Sequence, residues 1–198
     1  MRIVIAAITI ASLAGCQAPV RMTGLDDLGG QIEYGNKSYG LESIEGVKFV
    51  YAPQDKSGDA LPVCVAQTVE NNSVTLEGTM TVGRYYSWSN ERETGGGQVI
   101  SYVSDDRKTV IANGTVTLGS KGLLTNSEQF IRYTLSMKST PNGLIASFGK
   151  VQRALASTGS MKNQGFEPIG TWKQMHPDQA IKTLKSVSDK IDACLAEL

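Results

Sequence analysis

Three cysteines and one histidine are the residues of this 198-residue chain best suited to nucleophilic, redox or metal chemistry. His176 has no second histidine to join it in a metal site, and Cys64 and Cys194 are too isolated in sequence to suggest a zinc module. A serine hydrolase built on a nucleophile elbow needs Gly-x-Ser-x-Gly, and the sequence holds none. Gly149-Lys150 stands one residue too far from Gly143 for a phosphate loop and has no Ser or Thr after the lysine, so it reads as part of a hairpin strand. Gly95-Gly96-Gly97 lacks a strand-to-helix setting and reads as a flexible loop rather than a nucleotide site. No metal, cofactor or catalytic residue is expected. What remains is recognition, and the densest surface for it is Tyr85, Tyr86 and Trp88 with Arg84, Arg92 and the three glycines nearby. Rings and guanidinium groups suit a protein partner or a glycan such as peptidoglycan. The alternative is that these rings complete the core at a strand end while the arginines stay solvated.

The third cysteine has a setting of its own. Arg2 is the only charge ahead of an apolar run over residues 3–13, and the small Ala14 and Gly15 directly precede Cys16. This pattern reads as a short secretory signal. The run is well short of the roughly 20 apolar residues that cross a bilayer core. Leu13-Ala14-Gly15-Cys16 resembles the lipobox of bacterial prolipoproteins. The resemblance implies that the Cys16 thiol receives a diacylglyceryl group, that residues 1–15 are removed, and that the lipid on Cys16 ties the chain to a membrane. Gln17, where such proteins of two-membrane bacteria would carry Asp to stay at the inner membrane, implies a periplasm-facing place on the outer membrane. An ordinary secretory signal that happens to carry a cysteine is the plainer alternative.

Without residues 1–15 the chain keeps 183 residues, enough for one domain with a proper core. It then has 18 basic against 19 acidic side chains, a balance that gives no reason to expect nucleic acid as a partner. With Cys16 acylated, Cys64 and Cys194 remain in an oxidising compartment, where they are expected to pair. Two separate buried thiols acting as small apolar residues are the alternative.

Three elements must position these residues. From Gln17 to about Leu61 the chain is rich in Gly, Asp, Ser and Pro and its first part reads as a tether, so residues 16–45 are expected as tether and irregular segment ahead of a single domain over 46–198. Beyond Leu61 apolar and polar residues alternate, in Val74, Leu76, Gly78, Met80 and Val82, in Val110, Ala112, Gly114, Val116 and Leu118, and in Ile131, Tyr133, Leu135 and Met137. This period of two marks half-buried strands, with turns at Asn71-Asn72, Asp105-Asp106 and Pro141-Asn142-Gly143. Cys64 reads as part of the same strand-like stretch, with Ala66 and Thr68 on its face. At the chain end Ile181, Leu184, Val187, Ser188, Ile191, Cys194, Leu195 and Leu198 recur every three or four residues, which marks an amphipathic helix behind Pro177.

A sheet and a helix with one apolar face each bury one another, so the fold class expected is α+β: an antiparallel meander packed against a long C-terminal helix. The order of elements is similar to helix-grip domains of envelope lipoproteins. A lipocalin-like β-barrel is the alternative, although its Gly-x-Trp signature belongs near the barrel's start and the triplet here is Gly170-Thr171-Trp172. The function expected is a module that binds or scaffolds another envelope component. A carrier of a small apolar ligand and an envelope hydrolase are the other two readings, the first needing an enclosed cavity and the second a cleft of converging polar groups.

Overall fold

The computed structural model describes residues 20–35, 42–53, 59–82, 86–118 and 128–198; for residues 80–82 and 86–88 the description is of the backbone only. Along the chain run β1 (Gln31–Tyr34), β2 (Ser43–Tyr51), α1 (Ala60–Thr68), β3 (Ser73–Val82), β4 (Tyr86–Gly95) and β5 (Ile100–Val103). They are followed by β6 (Thr109–Leu118), β7 (Gln129–Thr140), β8 (Gly143–Leu155), β9 (Glu167–Gly170) and α2 (Pro177–Glu197). Seven strands make one antiparallel sheet in the order β1-β2-β9-β8-β7-β6-β5, while β3 and β4 pair with each other as a separate hairpin. The sheet ends in two short edge strands, β1 and β5, and does not close on itself. The fold is α+β, and the barrel alternative is set aside.

Alternation along the strands explains which face is covered. Val110 and Ala112 on β6, Ile131, Tyr133, Leu135 and Met137 on β7, and Leu144, Ala146 and Phe148 on β8 turn to one side and are buried there with Val47 and Phe49 of β2. Ala180, Ile181, Leu184, Val187, Ile191 and Leu195 of α2 close over them. Leu198, expected to extend this stripe, is 65% exposed because the helix stops at Glu197. A row of rings crosses the sheet: Phe49 meets Phe148 edge-on at 6.0 Å between centroids, and Phe148 meets Tyr133 at 5.2 Å. The Tyr133 ring then lies over Gly114 on β6, where a Cβ would come within 2.5 to 2.7 Å of it. Glycine is required there by close approach, not by backbone angle.

Two expectations need correction. Cys64 lies on a helix, α1, not on a strand. A strand would put Val63 and Val65 on one face, yet Val65 is 0% exposed and Val63 is 44% exposed. The buried set Ala60, Leu61, Cys64 and Val65 has helical spacing, and Pro62 in the first turn costs no hydrogen bond. Packing of this face against α2 overrides the strand preference of the two valines. The irregular part of residues 16–45 also holds docked and paired stretches where it is described. Met22 donates its backbone N–H to Thr171 at 2.8 Å, Leu25 is buried in the main core, and β1 pairs along β2. Scattered apolar residues among glycines and acids can dock on an existing sheet edge without forming a periodic element of their own.

Candidate functional site

The expected site residues fall into three groups. Cys16, Arg84 and Tyr85 lie outside the described residues. Cys64 and Cys194 form a disulfide across 130 residues of sequence, with their Cα atoms 5.7 Å apart, and so tie α1 to the last turn and a half of α2. Tyr86, Trp88 and Arg92 are all on β4, opposite Val82, Met80 and Leu76 of β3. The three occupy positions of equal parity along one strand. Only Arg92 is described to its tip: its guanidinium lies against the backbone of Gly165, and with Asn90, Lys162, Asn163 and Gln164 it lines a groove of about 280 Å³.

The hairpin that carries these residues is fastened at its base and by one side of β3. Val74 and Leu76 bury themselves against Phe130 and Ala154 on the outer face of the sheet, with Ala156 and Phe166 beside them. The segment leaving β8 then clips β3 through its backbone: Glu77 donates to Ala156 O at 2.7 Å, Thr79 donates to Gly159 O at 2.7 Å, and Thr158 donates back to Glu77 O at 3.1 Å. Asn163 secures the clip by donating its amide to Glu77 O at 3.1 Å and Leu155 O at 2.8 Å. Gly78 is needed under this strap, because a Cβ there would meet backbone atoms of Asn163 and Met161 at 2.6 and 2.7 Å.

A second concave surface, which sequence reading did not single out, lies where the hairpin base faces the uncovered side of the sheet. This cleft of about 480 Å³ is lined by Asn71, Gly95, Gly96 and Gln98 from the hairpin ends and by Asn113, Arg132, Tyr133, Thr134, Lys150 and Gln152 from β6, β7 and β8. Lys150 sits at an irregularity: Arg132 pairs with Gln152 and Thr134 with Gly149, so two residues of β8 oppose Tyr133 alone. Its φ of 51° is left-handed, a conformation that costs a non-glycine residue on the order of 1 kcal/mol. At this bulge β8 changes its neighbour from β2 to β9, since the β2 pairing ends at Gly149 and the β9 pairing begins at Gln152. Beneath the cleft, burial pushes the Tyr133 phenol well above its ordinary range, with the charge of Glu70 adding to the shift.

The polar alternation of β6 to β8 was legible as a wet face, but nothing in sequence spacing brings Asn71 near Lys150. Among the described residues no group of three or more His, Cys, Asp or Glu could hold a metal ion, and no helix is long and apolar enough to cross a membrane.

No family model and no curated protein matches the chain. Among solved structures, a DUF4468 family protein from Bacteroides ovatus ATCC 8483 is similar at 8% sequence identity and a TM-score of 0.46, over 86% of this chain and 94% of that one.

Proposed function

We propose that this chain is an outer-membrane lipoprotein, anchored through a lipid on Cys16 and facing the periplasm, whose domain binds or scaffolds another envelope component through the β3–β4 hairpin. The observation that carries this reading is the separation of the hairpin from the seven-stranded sheet: among the described residues, the ten-residue strands β3 and β4 pair with each other and with the short clip on β3. A strand pair set outside the main core adds little to that core and makes a long surface available to a partner. Tyr86, Trp88 and Arg92 on β4 are residue types that anchor interfaces. Five residue steps separate Cys16 from Arg21, which pairs with Trp172, so the extended chain reaches only about 17 Å from the anchor. The end of the domain that carries Arg21 and Trp172 is therefore held close to the membrane surface.

The carrier reading asks for an enclosed apolar space between sheet and helices, and side chains such as Phe49, Tyr133, Phe148, Leu184 and Ile191 occupy that interface. The anchoring half of the proposal is tested with Cys16→Ser. Labelled fatty acid should no longer be incorporated and the protein should leave the membrane fraction; unchanged labelling would overturn it.

A further inference from the structure

We propose that the cleft between the hairpin base and the outer face of the sheet binds a negatively charged saccharide, in which a carboxylate or phosphate is carried on a hydroxyl-rich ring. The argument rests on where the hydrogen-bonding capacity of its lining is spent. Gln152 Oε1 accepts from Arg132 at 2.8 Å, and because a guanidinium can only donate, the Gln152 amide must turn its N–H₂ away from that contact. Asn113 Oδ1 accepts from the Thr134 hydroxyl at 3.1 Å, which leaves the Asn113 N–H₂ as the unspent end. Asn71 completes the pattern: its N–H₂ donates to Gly96 O at 3.3 Å and Gln98 O at 3.5 Å, and its oxygen takes the Thr115 hydroxyl at 3.4 Å. The amide oxygens of Gln152, Asn113 and Asn71 are thus engaged inside the protein, Asn71 spends its N–H₂ there too, and the Asn113 and Gln152 N–H₂ groups are the amide donors turned to the cleft, with the Gln98 side chain beside them.

Charge points the same way. Arg132 and Lys150 are the ionised groups of the lining, and no carboxylate is among its residues. The Arg132 guanidinium is held in place before any ligand arrives, stacked 4.2 Å over the Phe166 ring and bonded to Gln152. Lys150 is kept at the rim by the bulge although its backbone would suit glycine better, and a strained charged residue beside fixed donors is a usual mark of a binding surface. The volume is that of a small-molecule site. Donors spread over β6, β7 and β8 exceed what one simple anion can satisfy, whereas a ring with several oxygens around one charge can engage them together. The site stands whether or not the outer part of the hairpin has a partner, because none of its lining residues belongs to that part.

The test uses the full-length lipoprotein in titration calorimetry with N-acetylmuramic acid, glucose 1-phosphate, and the neutral N-acetylglucosamine and glucose. At least one charged sugar is expected to bind, about tenfold or more tighter than its neutral counterpart, and which one binds identifies the anion. Lys150→Gly is the informative variant, since it removes the charge while relieving the backbone and so should fold at least as well. Its affinity for the charged sugar should fall about tenfold, with a similar loss for Arg132→Gln. The proposal is overturned if no charged sugar binds up to millimolar concentration, if neutral sugars bind as well, or if Lys150→Gly binds unchanged.

Discussion

In the body of the molecule Phe49, Phe148 and Tyr133 stand edge to face across β2, β8 and β7, α2 closes over them, and a disulfide ties α2 to α1. The hairpin, built from the same alternation of apolar and polar residues, rests on Val74 and Leu76 against Phe130 and Ala154 and on a few backbone hydrogen bonds to residues 156–159. The first region is fixed by many mutually supporting contacts. The second is fixed at its base and along one side of β3. Stability in a protein is not uniform, and a segment with few buried contacts opens locally at a free energy below that of global unfolding. Under the proposed function the body would serve as a rigid mount and the hairpin as the part whose order a partner changes.

The largest expected effect is in the body. Reducing the Cys64–Cys194 bond, or replacing both residues by alanine, should lower stability by up to about 4–5 kcal/mol, since the bond closes a loop of more than a hundred residues. Denaturant titration with and without reductant measures this, and an unchanged midpoint would mean that α1 and α2 are held by apolar packing alone.

A matched pair of truncations comes next. Leu184 on α2 and Leu76 on β3 are both fully buried, so burial alone predicts similar costs of about 2–5 kcal/mol for each Leu→Ala change. If the two regions differ as described, Leu184→Ala should lower the global unfolding free energy. Leu76→Ala should instead accelerate hydrogen exchange in β4 while leaving β7 amides nearly unaffected. Equal effects on both regions would show that they fold as one unit.

Gly114→Ala is smaller again. The new methyl must displace the Tyr133 ring, and overpacking of this kind costs about 1–3 kcal/mol. Tyr133→Leu in the same chain should recover part of that loss, which a double-mutant cycle reads directly.

The pH response belongs to the body as well. Burial raises the Tyr51 phenol, whose hydroxyl is 2.6 Å from Ser188 Oγ and donates to Asp189 at 2.8 Å; it also raises Tyr133, and Tyr34 to a lesser degree. A phenol whose folded pKa lies above its unfolded value stabilises the fold fully below the unfolded value, about 10, and less as pH rises through it. Unfolding midpoints should thus hold to about pH 10 and fall beyond it, and Tyr51→Phe should flatten that fall. A midpoint insensitive to alkaline pH in both proteins would remove the tyrosine network from the account.

Much of the body was legible in sequence, for a simple reason. In β6 and β7 every second residue is buried by the same layer, and in α2 every third or fourth is, so period alone reports the element. The α1 helix was misread because the β-branched Val63 and Val65 favour a strand, and nine residues give too few turns for the helical period to show. Alternation in β3 reports that Val74 and Leu76 face something apolar, but not that the apolar surface is the back of the sheet. The cleft was hidden for the same cause: Asn71, Arg132 and Lys150 meet only after the hairpin has folded across strands that lie far along the chain.

The most direct test of the hairpin as the contact surface places a photocrosslinking amino acid at Trp88 on β4 and, in a second protein, at Lys190 on the exposed side of α2, both in intact cells. Crosslinks to a specific envelope component should form from position 88 and not from position 190, and Trp88→Ala should weaken that capture without lowering the melting temperature. Equal crosslinking from both positions, or a large fall in thermal stability with no selective loss of capture, would contradict it and return Trp88 to the core.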